Sequence, residues 1–170
     1  VCESGTRALV SRGIYDEFVG MLVERAGKIV IGDNMDMNTD LGPLVAPSQA
    51  DTTERYVKLG LDEGAKLLCG GGRPSNLAAG LDQTAYFEPT IFEADNSMKI
   101  AQEEIFGPVL CVIPFDSDDE AIKIANDSIY GLGGGVWSKD ADRAHSVAAE
   151  MRTGTVWIND YHMINPKYPF

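Results

Sequence analysis

Val109-Leu110-Cys111-Val112-Ile113-Pro114-Phe115 followed by Asp116-Ser117-Asp118-Asp119-Glu120-Ala121-Ile122-Lys123-Ile124-Ala125 is the stretch that decides the fold. The first part is a strand-like apolar run. In the second, Ser117 with Glu120 three positions on makes a capping box in front of the helical apolar positions Ala121, Ile122, Ile124 and Ala125. Moving outward, Gly134 to Trp137 reads as a strand, Asp140 caps a helix carrying Ala144, Val147 and Ala148, and Thr155 to Ile158 reads as a further strand. Strand, helix, strand, helix, strand is the alternation of an open, largely parallel α/β sheet with right-handed crossovers.

Upstream the alternation is looser. Residues 6 to 10 form a short predicted strand, and Ile14, Phe18, Leu22, Ala26 and Ile29 make one helical apolar stripe, as expected for core contact. The turn formers from Gly32 to Pro43 predict a surface loop. Ser48 with Asp51 resembles a second capping box, ahead of Tyr56, Val57, Leu59 and Leu61. Strands are then predicted at Ala65 to Cys69 and at Phe87 to Phe92, joined by a long connection rich in Gly, Pro, Ser and Asn. There is no internal repeat and no low-complexity tract.

The 170 residues, 44% hydrophobic, suffice for one substantial core. No stretch approaches the ~20 consecutive apolar residues that span a bilayer, so no membrane partner is expected. A net charge of −12 repels a phosphate backbone and argues against nucleic acid. The three cysteines, Cys2, Cys69 and Cys111, are odd in number and lack Cys-x-x-Cys spacing, which disfavours both a disulfide framework and a zinc cage. No metal site is expected, and a reducing, cytoplasmic compartment fits best. Cys69 and Cys111 sit in apolar runs, where cysteine behaves as a small buried hydrophobe.

Cys2 is different: it precedes Gly5 and a strand opening at Thr6-Arg7, so it lies on a turn where backbone N–H groups can stabilise a thiolate. Local pattern leaves it open between a nucleophile and an incidental thiol, because neither His145 nor His162 is spaced to serve as its base. Likewise Glu103 and Glu104, read alone, are either surface charges or acceptors, and the Gly107-Pro108 pair after Phe106 is a stiff turn able to hold an aromatic against a flat ring.

Two motifs resolve these alternatives by resemblance. Val1-Cys2-Glu3-Ser4-Gly5-Thr6-Arg7 is similar to the end of the active-site motif of aldehyde dehydrogenases, and Gln102-Glu103-Glu104-Ile105-Phe106-Gly107-Pro108-Val109 is similar to that family's Glu-Glu-Ile-Phe-Gly-Pro motif. Leu41-Gly42-Pro43, Glu63-Gly64-Ala65, Phe87-Glu88-Pro89-Thr90, Tyr130-Gly131-Leu132 and Gly154-Thr155-Val156-Trp157-Ile158-Asn159 agree in order, so the resemblance covers essentially the whole chain.

The resemblance implies a three-layer α/β catalytic domain in which Cys2 is the nucleophile, Glu104 holds the nicotinamide ribose of NAD or NADP, and Phe106 packs beside the nicotinamide ring. It implies that Asp160, Tyr161, His162, Ile164 and Phe170 line the path of a small-molecule aldehyde. The order Asn159-Asp160-Tyr161-His162 is similar to betaine-aldehyde dehydrogenases, which suits a cationic aldehyde. Glu3, where many relatives carry a small residue, is a departure; its carboxylate is expected to point away from the sulfur. Residues 1–170 are expected to be a catalytic domain truncated at both ends. The cofactor domain, the oxyanion asparagine, the general-base glutamate and the segments that make relatives homodimers or homotetramers would then lie outside it. A phosphorylating or coenzyme-A-acylating dehydrogenase and a non-catalytic structural relative are the alternatives; a cofactor-free cysteine hydrolase lacks a placed histidine.

Overall fold

The computed structural model describes residues 1–165 and 167. In chain order the elements are β1 (Arg7–Ser11), α1 (Tyr15–Gly27), α2 (Pro47–Asp62), β2 (Lys66–Cys69), β3 (Thr90–Glu93), α3 (Lys99–Gln102), β4 (Val109–Phe115), α4 (Asp118–Asn126), β5 (Gly133–Val136), α5 (Ala141–Glu150) and β6 (Thr155–Ile158). Four strands form one sheet in the order β1-β4-β3-β2. β4 pairs in parallel with both β1 and β3, and β2 closes the edge antiparallel to β3.

The alternation of side chains along β3 and β4 separates two apolar layers. Phe92, Cys111 and Ile113 face one way, packing with Tyr56 and Val57 of α2 and Ile100 of α3. Ile91, Val112 and the partly buried Leu110 face the other way, toward Tyr15, Phe18 and Leu22 of α1. The sheet is thereby sandwiched between helices, a three-layer α/β arrangement with a mostly parallel sheet. No helix among the described residues is long and apolar enough to cross a membrane.

Several sequence expectations need correction. β5 and β6 pair with each other, in parallel, as a separate two-stranded sheet rather than continuing the four-stranded one. The Phe87–Phe92 run enters the ladder only at Thr90, although Phe87 is 1% exposed. Pro89 has no N–H to offer a ladder, and burial alone accounts for the apolar residues before it. Ser48 and Asp51 do not cap α2: Ala46 is the capping position, without a side-chain bond, and Pro47 opens the helix with a preset φ. Asp51 instead accepts from Arg73 at 2.6 Å. The four-residue α3 is too short to show a period in sequence.

Ser117 and Asp140 do cap their helices, accepting from the N–H groups of Glu120 and Arg143. The reciprocal bond of the Ser117 box lands one residue early, Glu120 Oε2 accepting from the Asp116 N–H at 2.7 Å.

Phe92 is fully buried at the centre of the α2-facing layer. Replacing it with Ala removes its contacts and leaves a cavity, which is expected to cost about 3–5 kcal/mol. The shift of the urea midpoint at constant m value measures it; a loss below about 1 kcal/mol would show that this layer is not the core.

Candidate active site

Parallel pairing of β1 with β4 sets the site's frame. Arg7 is in register with Cys111, and the Cys111 N–H donates to the Thr6 carbonyl at 3.0 Å. Because the strands are parallel, the segments preceding them emerge at the same end of the sheet. Cys2 stands five positions before Arg7, and Phe106 five before Cys111. The 1–6 loop and the 103–108 turn therefore open at the same end of the sheet.

Arg7 anchors the first of these. Its guanidinium donates to Asn96 Oδ1 at 2.6 Å and to the carbonyls of Ile124 and Ala125 at 2.9 and 3.0 Å, at the C-terminal end of α4. A cation there also meets the negative end of the helix. Burial pushes its pKa down, opposed by the charge of Asp127. Beyond this anchor Cys2 is solvent-exposed on a turn. Cys111, by contrast, is 1% exposed and its thiol is pushed up to about 12 by burial. Burial also raises the Cys69 thiol.

The 103–108 turn alternates sides. Glu103 accepts from the Tyr56 hydroxyl at 2.8 Å and Ile105 is buried, whereas Glu104 and Phe106 face solvent, Phe106 at 50% exposure. Among the described residues no side chain donates to the Glu104 carboxylate. Phe106 has φ 56, a left-handed backbone that is costly for a residue with a β-carbon. The conformation is held from α2: Gln49 Nε2 donates to the Ile105 carbonyl at 2.8 Å and the Phe106 carbonyl at 3.2 Å. Gly107 packs directly onto the fully buried Thr53, so close that a β-carbon would overlap it. An outward carboxylate beside a presented aromatic face can take a diol and a flat ring together.

The 159–165 segment closes over the 1–6 loop from the other sheet. Gly133, Gly134 and Gly135 leave β5 without side chains; the Trp157 ring fills the space at Gly133, Met151 that at Gly134, and the Trp137 and Tyr161 rings that at Gly135. Tyr161 stacks on His162 with ring centroids 4.7 Å apart and lies 4.9 Å from Trp157. The Tyr161 hydroxyl donates to the Glu3 carbonyl, and His162 Nε2 lies 3.3 Å from the same oxygen. Asp160 is exposed and accepts from the Tyr161 N–H at 2.7 Å. Ile164 is 63% exposed. Phe170 lies outside the described residues. The Glu3 side chain begins over Gly133, and its charge, after burial, helps to raise the Tyr161 phenol. A surface groove between α4 and α5, lined by Asp118, Asp119, Arg143 and Glu150, contains none of the candidate residues.

Sequence reading missed Gln49, Thr53 and Tyr56. The signal was present: three polar-tipped residues at helical spacing, on the face of α2 that also carries the buried Ala50 and Val57.

The aldehyde dehydrogenase family model matches residues 1–170. The chain belongs to the aldehyde dehydrogenase family. It is 49% identical over 163 residues to betaine aldehyde dehydrogenase of Bacillus subtilis, covering 95% of this chain and 33% of that protein. With the betaine aldehyde dehydrogenase of Mesorhizobium japonicum it shares 46% identity, covering 100% of this chain and 35% of the relative. Among solved structures, betaine aldehyde dehydrogenase from Staphylococcus aureus in complex with NAD+ superposes with a TM-score of 0.96 at 43% identity, covering 100% of this chain and 34% of that one. An aldehyde dehydrogenase of Mycobacterium tuberculosis complexed with NAD+ gives 0.93 at 44% identity, with coverage of 100% and 34%. The chain thus spans about a third of the length of these family members.

Gln49→Ala removes the donor shared by two carbonyls of the 103–108 turn. It is expected to destabilise the protein by about 1–2 kcal/mol, and to shift the amide resonances of residues 104–107 more than those of β2. Unchanged stability and resonances would show that α2 does not hold the turn.

Proposed function

We propose that this chain is the cysteine-nucleophile domain of a longer NAD(P)-dependent aldehyde dehydrogenase that oxidises a cationic aldehyde of the betaine-aldehyde type to its carboxylic acid. The observation that carries this reading is the β1–β4 pairing, which opens the Cys2 loop and the Glu104–Phe106 turn at one end of the sheet. NAD+ in the Staphylococcus aureus and Mycobacterium tuberculosis structures supports the cofactor class. The names of the curated relatives support the substrate class.

In this reading the Cys2 thiolate adds to the aldehyde carbon; the new S–C bond forms as the C=O pair moves to oxygen. The resulting oxyanion is held by the Cys2 N–H, with the asparagine that the family resemblance implies upstream. Glu104 would accept from the ribose hydroxyls of a bound nicotinamide cofactor, and Phe106 would offer its face to the nicotinamide ring. The chemistry supplied by a bound nicotinamide is acceptance of hydride from the thiohemiacetal carbon. Cys2 is left as a thioester, and attack by water breaks the S–C bond to release the acid and regenerate the thiolate, with the upstream glutamate implied by the resemblance as base.

Asp160, Tyr161, His162 and Ile164, with Phe170 beyond the described residues, border the substrate path in this reading. The partly exposed ring of Tyr161 next to the exposed carboxylate of Asp160 suits an ammonium group. The same reading takes the whole protein to be a cytoplasmic homodimer or homotetramer that binds no nucleic acid. The acidic balance supports the last of these. The exposed apolar residues Met35, Met37, Val45 and Ile129, at 83 to 97% exposure, suit surfaces that further parts of the protein cover.

In the full-length enzyme, Cys2→Ala is expected to abolish acid formation, and Glu104→Gln to raise KM for NAD+ about tenfold. Asp160→Ala should lower kcat/KM about tenfold, some 1.4 kcal/mol, for betaine aldehyde while leaving a simple aliphatic aldehyde within twofold. Full activity of Cys2→Ala would end the dehydrogenase reading, and equal losses on both aldehydes would end the cationic one.

A further inference from the structure

The loop bearing Cys2 has little to hold it. Among the described residues, the backbone hydrogen bond within residues 1–6 is a long one, Ser4 N–H to Val1 carbonyl at 3.5 Å. Val1, Cys2, Ser4, Gly5 and the start of the strand are exposed or only partly covered. A nucleophile needs its sulfur and its N–H aimed within a narrow cone. Something outside the loop has to supply that order.

The Glu3 carbonyl is where outside contacts converge. A carbonyl oxygen has two lone pairs; here the Tyr161 hydroxyl donates to one, and His162 Nε2, in its N–H tautomer, approaches at 3.3 Å. The two rings that make these contacts are fixed. Tyr161 is stacked on His162 and tilted against Trp157, whose Nε1 donates to the Met163 carbonyl at 3.0 Å. Two left-handed residues, Asn159 at φ 53 and His162 at φ 63, shape the turn, and Asn159 bonds Ser138 through both side-chain atoms at 2.9 Å. The phenol oxygen also lies against Gly5, within 3.6 Å of where a β-carbon would stand. Burial raises the phenol pKa, so it is a protonated donor at neutral pH.

We propose that Tyr161 is a positioning residue for Cys2: its hydroxyl, seconded by His162, clamps the carbonyl of the residue after the nucleophile and sets the loop in its reactive conformation. This rests on Cys2 being the nucleophile. The clamp joins the four-stranded sheet, through β1, to the two-stranded sheet, through the turn after β6. It also separates two jobs within one side chain, the ring packing the fold and the oxygen orienting the loop.

Tyr161→Phe keeps the ring and removes the oxygen. In the full-length enzyme, with active sites counted by the pre-steady-state burst of NADH, we expect kcat per site to fall about tenfold while KM for NAD+ stays within twofold and the urea midpoint is little changed. Gly135→Ala, whose methyl would press the Trp137 ring at 2.6 Å and the Tyr161 ring stacked on it at 3.0 Å, is expected to give the same split without altering the hydroxyl. Wild-type kcat per site in both variants, or a fall in kcat matched by an equal rise in KM for NAD+, would overturn the clamp. Turnover that survives Cys2→Ala would sink the nucleophile assignment itself, a result distinguishable from either.

Discussion

The parallel pairing of β1 with β4 is the constraint on which the rest of the structure depends. Two segments a hundred residues apart in sequence open at the same end of one sheet because their strands run in parallel, in the register Arg7 to Cys111. A parallel ladder cannot be closed by a tight turn, so α1, α2, β2, β3 and α3 are all threaded between its two strands. That intervening chain also builds the layers on either face. Arg7 adds a second lock by tying the head of β1 to the last turn of α4, with its charge met by carbonyls and by Asn96.

Around this frame the exposed elements are supported from behind. The turn carrying Glu104 and Phe106 is an unfavourable backbone held by Gln49, Thr53 and Tyr56, three residues of one helix. On the other side of Cys2, the glycines of β5 let aromatic rings approach the backbone, and the resulting stack meets the loop through oxygen and nitrogen tips. The exposed segments are short, and their geometry is set from behind by buried or partly buried residues. The strain at Phe106 and His162 fits that division, since costly conformations persist only where surrounding contacts over-determine them.

Much of the fold was legible in sequence where one periodicity acts alone. The apolar run Val109–Phe115, the stripe of α1 and the caps at Ser117 and Asp140 each follow from local chemistry. Ser48 misled because a proline one position earlier starts a helix without needing a cap. The split of β5–β6 from the main sheet was not legible, because three glycines carry no pattern and which neighbour a strand pairs with is decided by packing. Of the site, Cys2, Glu104 and Phe106 came from motif resemblance, while their supports did not. Gln49 lies 56 positions from the carbonyl that it binds, and Tyr161 lies 158 from the one that it meets. Helix-on-turn packing makes the first contact and the approach of the two sheets makes the second, and neither leaves a local pattern in sequence.

We propose that in the full-length enzyme the exposed sulfur of Cys2 shares a space with the carboxylate of Glu104 and the ring of Phe106. Iodoacetamide alkylation of the full-length enzyme at neutral pH, followed by peptide mass spectrometry with and without saturating NAD+, tests it most directly. The expected result is labelling of Cys2 that slows several-fold when NAD+ is bound, while the slower labelling of the burial-shifted Cys69 is unchanged. Equal rates at Cys2 with and without bound NAD+ would contradict the claim and separate the thiol from the cofactor face.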